Sequence, residues 1–251
     1  MTLTLFGIEL WSTALLFARL GAMIMLLPGF GEAVIPARVR LAFALTFAIM
    51  LAPTLAGRMP DPATTAWGMA FQVGGETLIG ALFGGAARML VSALATAGQI
   101  AGLEIGLAFA QTADPTMTQS GQLLAVFLSL LGVTLIMSTG LGHMFLLGVA
   151  GSYDIIAPGA PAPIGDAAQM ALDAAATSFR VGFQMAAPLI AAGLIFRVGL
   201  GVLARLIPQI QVFFIALPLQ VMGGLAVLAF GLSTGMLVWI ESVERYADWL
   251  R

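Results

Sequence analysis

The sequence predicts an all-α, polytopic membrane-type protein of kinked helical hairpins, on three observations. Of its 251 residues, 60% are apolar and only 9% are charged. Apolar runs recur at lengths near the roughly 20 residues that carry a helix across a hydrocarbon core. The run from Leu206 to Ile240 holds no ionisable residue, and in water its apolar surface would drive association. Third, prolines fall inside apolar context at Pro28, Pro36, Pro53, Pro188, Pro208 and Pro218. Each removes a backbone donor and bends or ends its helix, which favours hairpins over a plain up-and-down bundle.

Taken in order, the candidate segments are Leu5–Leu27, Leu41–Leu55, Trp67–Ala87, Met89–Ala110, Leu123–Val149, Thr177–Phe196 and Gln211–Ile240. Leu41–Leu55 is short for a span and Gln211–Ile240 is long, so the expectation is about six to eight apolar helices. Only Arg88 separates the third candidate from the fourth, where a turn is expected. The start of the chain lacks a basic region and an A-x-A site, so Leu5–Leu27 reads as a retained helix and not a signal peptide. Two breaker-rich loops stand out, Gly57–Pro62 and Ala157–Pro163, the latter followed by a short amphipathic stretch with Asp166 and Asp173. Gln111–Gln122 is polar, small and free of arginine; non-helical backbone there belongs in protein, water or a cavity, not lipid. No connection is long enough to hold a second core, so residues 1–251 read as a single domain.

Composition excludes several classes of function. A net charge of −2 gives no basic patch for nucleic acid. All ten cationic residues are arginine. Without cysteine there is no disulfide framework, thiol nucleophile or cysteine-ligated iron–sulfur site. A single histidine, His143, argues against a histidine-based metal centre, and no cofactor is expected. No P-loop, H-E-x-x-H, G-x-S-x-G or paired intramembrane aspartate motif occurs, and no nucleophile–base pair is visible. If all seven candidates cross in alternation, Arg38, Arg40, Arg88, Arg245 and Arg251 share the side of the C-terminus. Arg58, Arg197 and Arg205 face the other, which favours a cytoplasmic C-terminus.

Glycines fall at intervals of four: Gly80 with Gly84, the stripe Gly98, Gly102 and Gly106, and Gly231 with Gly235. This spacing puts them on one helix face, where a neighbouring backbone comes close, either within the chain or from another subunit. Charges within or beside apolar segments are Glu9, Arg19, Glu76, Glu104, Arg180 and Arg197. Such groups face a partner, a cavity or a water path, and read as structural pairs, snorkelling arginines or an ion relay. Glu76, Glu104, His143 and Arg197 are the candidate buried polar residues. His143 fits a packing role or a proton sensor.

Four stretches together resemble the FliR/SctT family of the type III protein export gate. The first is Arg19-Leu-Gly-Ala-Met-Ile-Met-Leu-Leu-Pro-Gly-Phe-Gly31, continuing to Ile35-Pro-Ala-Arg-Val-Arg40. The second joins Gly75-Glu-Thr-Leu-Ile-Gly80, Ala97-Gly-Gln-Ile-Ala-Gly102, and Gly106 through Asp114-Pro115. The third is Gly142-His143 with Gly151-Ser152 and Pro158-Gly159. The fourth is Ala186-Ala-Pro188, then Ala204-Arg-Leu-Ile-Pro-Gln209, Val212-Phe213 and Pro218. Departures are Gln211 where asparagine is expected, Arg197 in place of a commoner polar residue, and Gln220 where a lysine is usual.

The resemblance implies a single FliR-like subunit in a helical assembly with several FliP- and FliQ-like proteins in the bacterial inner membrane, at the flagellar basal body. FlhB-like and FlhA-like export proteins are implied neighbours, and unfolded export substrates the cargo. The family places a pore plug at Gly106–Gln122, with Gly106, Phe109, Gln111, Asp114, Pro115, Met117 and Gln122 as candidate residues. The rival readings are a virulence injectisome subunit, a small-molecule secondary transporter, for which no internal repeat is visible, and an intramembrane enzyme.

Overall fold

In a computed structural model of the chain, residues 4–5, 8–107, 123–160, 164–206 and 212–250 are described. Among them are seven α-helices: α1 (Leu10–Leu26), α2 (Ala37–Leu55), α3 (Ala66–Ile105), α4 (Leu123–Ser138), α5 (Leu141–Ile155), α6 (Ile164–Leu206) and α7 (Val212–Trp249). Two residues of β1 (Thr4–Leu5) pair antiparallel with two of β2 (Ile8–Glu9) ahead of α1. The first helix therefore starts at Leu10, not Leu5.

Local chemistry sets the helix ends. Pro28 and Gly29, at φ 84°, follow α1, and Pro36 immediately precedes α2. Thr65 caps α3, its Oγ1 accepting from the Gly68 N–H at 3.1 Å. At the far end the Gly106 N–H reaches the Leu103 carbonyl at 3.2 Å and the Leu107 N–H that of Gly102 at 3.0 Å. With Gly106 at φ 88° this is a Schellman stop, which needs a left-handed residue.

Three expectations are corrected. The turn expected at Arg88 does not form: α3 runs unbroken for 40 residues. It contains no proline, and Arg88 extends sideways to Glu32 at 2.9 Å instead of ending the helix. Conversely, Leu123–Val149 is not one helix. It breaks at Thr139–Gly140, where Gly140 at φ 81° lets α4 and α5 diverge by 75°. The amphipathic stretch with Asp166 and Asp173 is the beginning of α6, a 43-residue helix that continues through Pro188. These changes also remove the basis of the arginine tally, because Arg88, Arg197, Arg205 and Arg245 lie within helices and not in connections.

Four described helices, α2, α3, α6 and α7, are long and apolar enough to cross a membrane, or five spans if bent α4–α5 counts as one. The chain is accordingly an all-α polytopic membrane-type protein. At 1.5 Å per residue, the 40, 43 and 38 residues of α3, α6 and α7 have contour lengths of about 57–65 Å. A hydrocarbon core of about 30 Å holds only about half of each.

The chain divides into two compact units. The first comprises Met1–Leu90, Thr134–Ala175 and Val243–Arg251. Its core joins Leu16, Leu20 and Met23 of α1 to Phe83 of α3 and Phe145 and Val149 of α5, all buried. The second comprises Val91–Val133 and Ala176–Ser242. There Ala101 and Ile105 of α3, Leu124 of α4 and Leu189 of α6 form the core, with Val227 and Leu228 of α7 packed on it.

Candidate functional site

Among the described residues, one ion pair in each unit joins two apolar helices, in contrasting surroundings. In the first unit Arg19 is fully buried and its Nε donates to Glu76 Oε2 at 2.6 Å, with Glu76 1% exposed. A lone buried charge is costly, so its other donors need acceptors; Nη1 has them, while Nη2 is buried without one among the described residues. Arg19 Nη1 donates to the carbonyls of Ser152, at 3.1 Å, and Ile156, at 2.8 Å. The guanidinium also lies 4.2 Å from the centre of the Tyr153 ring. Glu76 uses its second oxygen to accept the Gly159 N–H at 2.7 Å. The pair thus binds α1, α3 and the connection after α5.

The two breaker-rich loops meet at the same place. Arg58 Nη1 bonds Asp154 Oδ1 at 2.8 Å and its Nη2 the Tyr153 carbonyl at 3.3 Å. Gly159 sits at φ 71°, and a Cβ there would come within 2.5 Å of Pro60.

In the second unit Arg197 Nη2 donates to Glu104 Oε2 at 2.8 Å, the side chains being 52% and 16% exposed. Gln220 Nε2 donates to the Glu104 carbonyl at 2.7 Å. Beside them lies a cavity of about 150 Å³ lined by Glu104, Leu189, Gly193, Phe196, Gln220 and Gly224 among others. Gln220 is a functional candidate that sequence reasoning left out of its site. The available signal was an amide side chain in a run otherwise without charge.

The glycines differ sharply. A Cβ on Gly80 would overlap the Arg19 carbonyl, and on Gly84 would come within 2.6 Å of the Met23 carbonyl, so α1 and α3 meet backbone to backbone. A Cβ on Gly98 would overlap Ala125 of α4, and one on Gly235 would lie 3.3 Å from Met185. Gly102 is buried. Gly231 has nothing among the described residues within 4 Å of its Cβ position.

Burial is corrected at two candidate polar residues. His143 is exposed, because in the first turn of α5 the inward positions go to Leu141 and Gly142. Arg197 is half exposed on a helix whose apolar window is only 17% buried. Arg180, another charge on this helix, is exposed as well. Of the candidate plug residues only Gly106 is described; Phe109, Gln111, Asp114, Pro115, Met117 and Gln122 lie outside the described residues. Among the described residues no cluster of side chains suits a metal ion.

Residues 10–246 match the family described as bacterial export proteins, family 1. The flagellar biosynthetic protein FliR of Caulobacter vibrioides is 41% identical over 240 residues, covering 96% of each chain. The FliR proteins of Aquifex aeolicus and Escherichia coli are 33% and 32% identical, covering 94% and 84% of this chain and 89% and 80% of their own. With the match running from the start of α1 nearly to the end of α7, the chain belongs to the bacterial export proteins of family 1, the FliR-like family its motifs resemble.

Proposed function

We propose that this chain is a non-enzymatic core subunit of the flagellar type III export gate, acting as one domain that helps form the channel for unfolded flagellar substrates. The observation that carries this reading is the 41% identity to a flagellar FliR over 96% of both chains. All three relatives above are named flagellar, which favours flagellar over injectisome use. Apolar side chains stand open for lipid or neighbouring subunits to cover, Phe230, Ile195 and Leu206 being 88%, 74% and 72% exposed.

In this reading FliP- and FliQ-like subunits cover part of that surface and lipid of the inner membrane the rest. FlhB-like and FlhA-like proteins flank the gate at the basal body. The segment Gly106–Gln122 restricts the closed pore, starting from the rigid Schellman stop at Gly106. Energy comes from partners and the proton-motive force, since the sequence offers no nucleotide motif.

Co-expression with FliP- and FliQ-like partners, detergent purification and native mass spectrometry test the proposal. A discrete complex containing this chain is expected. A stable lone chain that ignores those partners refutes it, and proton-coupled solute uptake by that chain would establish the transporter rival.

A further inference from the structure

We infer that Arg19 and Glu76 form a three-way latch, which makes the docking of α1 conditional on closure of the α5–α6 connection. The inference concerns the first unit alone and does not depend on the export reading. Arg19 divides its donors among partners far apart in the chain, Glu76 on α3 and the carbonyls of Ser152 and Ile156 at the end of α5. The Ser152 carbonyl, in the last turn of α5, also accepts the Ile156 N–H at 3.1 Å, whereas the Ile156 carbonyl just after the helix is one that helix ends leave for an outside donor. Arg19 therefore caps α5 from another helix. Glu76 mirrors it, holding Arg19 with one oxygen and the Gly159 N–H with the other.

The chemistry fixes the direction of every contact. Carbonyls accept only from a donor, and the Gly159 N–H donates only to an acceptor. A cation at 19 and an anion at 76 satisfy both ends, and the reverse arrangement satisfies neither. Nor is a point charge at 19 sufficient. The guanidinium presents a rigid fork that serves a carboxylate and two carbonyls at once, which an ammonium on a flexible stem does not reproduce. When the connection opens, Glu76 loses the Gly159 donor and Arg19 the Ile156 carbonyl, leaving a buried cation on α1 held by one carboxylate and the Ser152 carbonyl. The segments therefore dock together or not at all, and Gly159 is tied to α1 without touching it.

The natural absence of cysteine makes a direct test possible. Ser12 on α1 is 3% exposed, so Ser12→Cys in the full-length chain reports undocking of α1 by its rate of maleimide labelling in membranes. Gly159→Ala perturbs the connection and the Pro60 loop that faces it, through its φ of 71° and its approach to Pro60, and leaves the Arg19 and Glu76 side chains themselves unchanged. We expect Gly159→Ala, Arg19→Lys and Glu76→Met each to raise labelling tenfold or more. The exchanged pair R19E/E76R should remain as labile as the single variants. Faster hydrogen exchange over residues 156–160 in Gly159→Ala without faster Ser12→Cys labelling overturns the conditional docking. Labelling at the unmodified rate in Arg19→Lys, or rescue by the exchanged pair, shows that charge alone holds α1 and overturns the latch.

Discussion

Replacing single glycines by alanine separates close packing from mere helix propensity, with a change of sign between two positions. In a helix interior alanine is more favourable than glycine by roughly 0.5–1 kcal/mol, because the glycine backbone loses more freedom on folding. Gly231 on α7 has nothing within 4 Å of its Cβ position, so Gly231→Ala should gain about that amount in the isolated chain. At Gly98 on α3 the new methyl meets three backbone atoms of Leu124 and Ala125, with no flexible side chain end to move aside. Overpacking against backbone costs about 1–3 kcal/mol. Set against the same propensity gain, Gly98→Ala should lose about 1–2 kcal/mol. The assay is reversible unfolding of the purified chain in mixed micelles, titrated with a denaturing detergent and followed by tryptophan fluorescence. Equal stabilisation of both variants would refute the packing argument for Gly98, and destabilisation of the isolated chain by Gly231→Ala would refute the open-space argument. If Gly231→Ala stabilises the chain yet lowers the yield of complex, that face belongs to a neighbouring subunit.

Three further outcomes follow from named contacts. Gly102→Leu puts a large side chain at a buried position one turn from the Schellman stop, and complex yield measured by native mass spectrometry should fall; normal yield counts against close packing there. Tyr246→Phe removes a bond of 2.7 Å from the hydroxyl to the Phe83 carbonyl within the first unit, and should cost about 0.5–1.5 kcal/mol in the same unfolding assay. Asp154→Ala breaks an ion pair whose partners are 49% and 68% exposed, and should change stability by about 1 kcal/mol or less, screened further by salt.

Fold class was legible because it rests on bulk composition and on apolar run length, and membrane physics admits few solutions for such a chain. Helix boundaries were less so. Arg88 looked like a turn because a charge between two apolar runs is the usual signal, yet its ion pair with Glu32 lets α3 pass beneath it. The break at Gly140 sits in a run that is apolar throughout, and a left-handed glycine leaves no trace in hydropathy. Glu76 and Arg19 could each be suspected from the cost of a charge among apolar residues. Their partnership could not, since 57 residues separate them and three of the remaining contacts are to backbone groups. Glycine spacing carried a similar ambiguity: the same interval of four places Gly80 against a backbone and Gly231 against nothing.

The second ion pair brings together two positions that the sequence reading treated as separate departures. Against the resemblance, Arg197 stands where another polar residue is commoner and Gln220 where a lysine is usual. Both meet at Glu104, Arg197 through the carboxylate and Gln220 through the main-chain carbonyl. The lysine that the resemblance implies at 220 would bring a cation to the same glutamate from α7, whereas in this chain the cation comes from Arg197 on α6. Arg197→Gln should then leave a carboxylate only 16% exposed without its cation, at a cost of about 1–3 kcal/mol. Adding Gln220→Lys to that variant should recover most of the loss, although each change alone departs from the present sequence. Should Gln220→Lys deepen the loss instead, the two positions are independent, and Gln220 serves only to tie α7 to the last turn of α3.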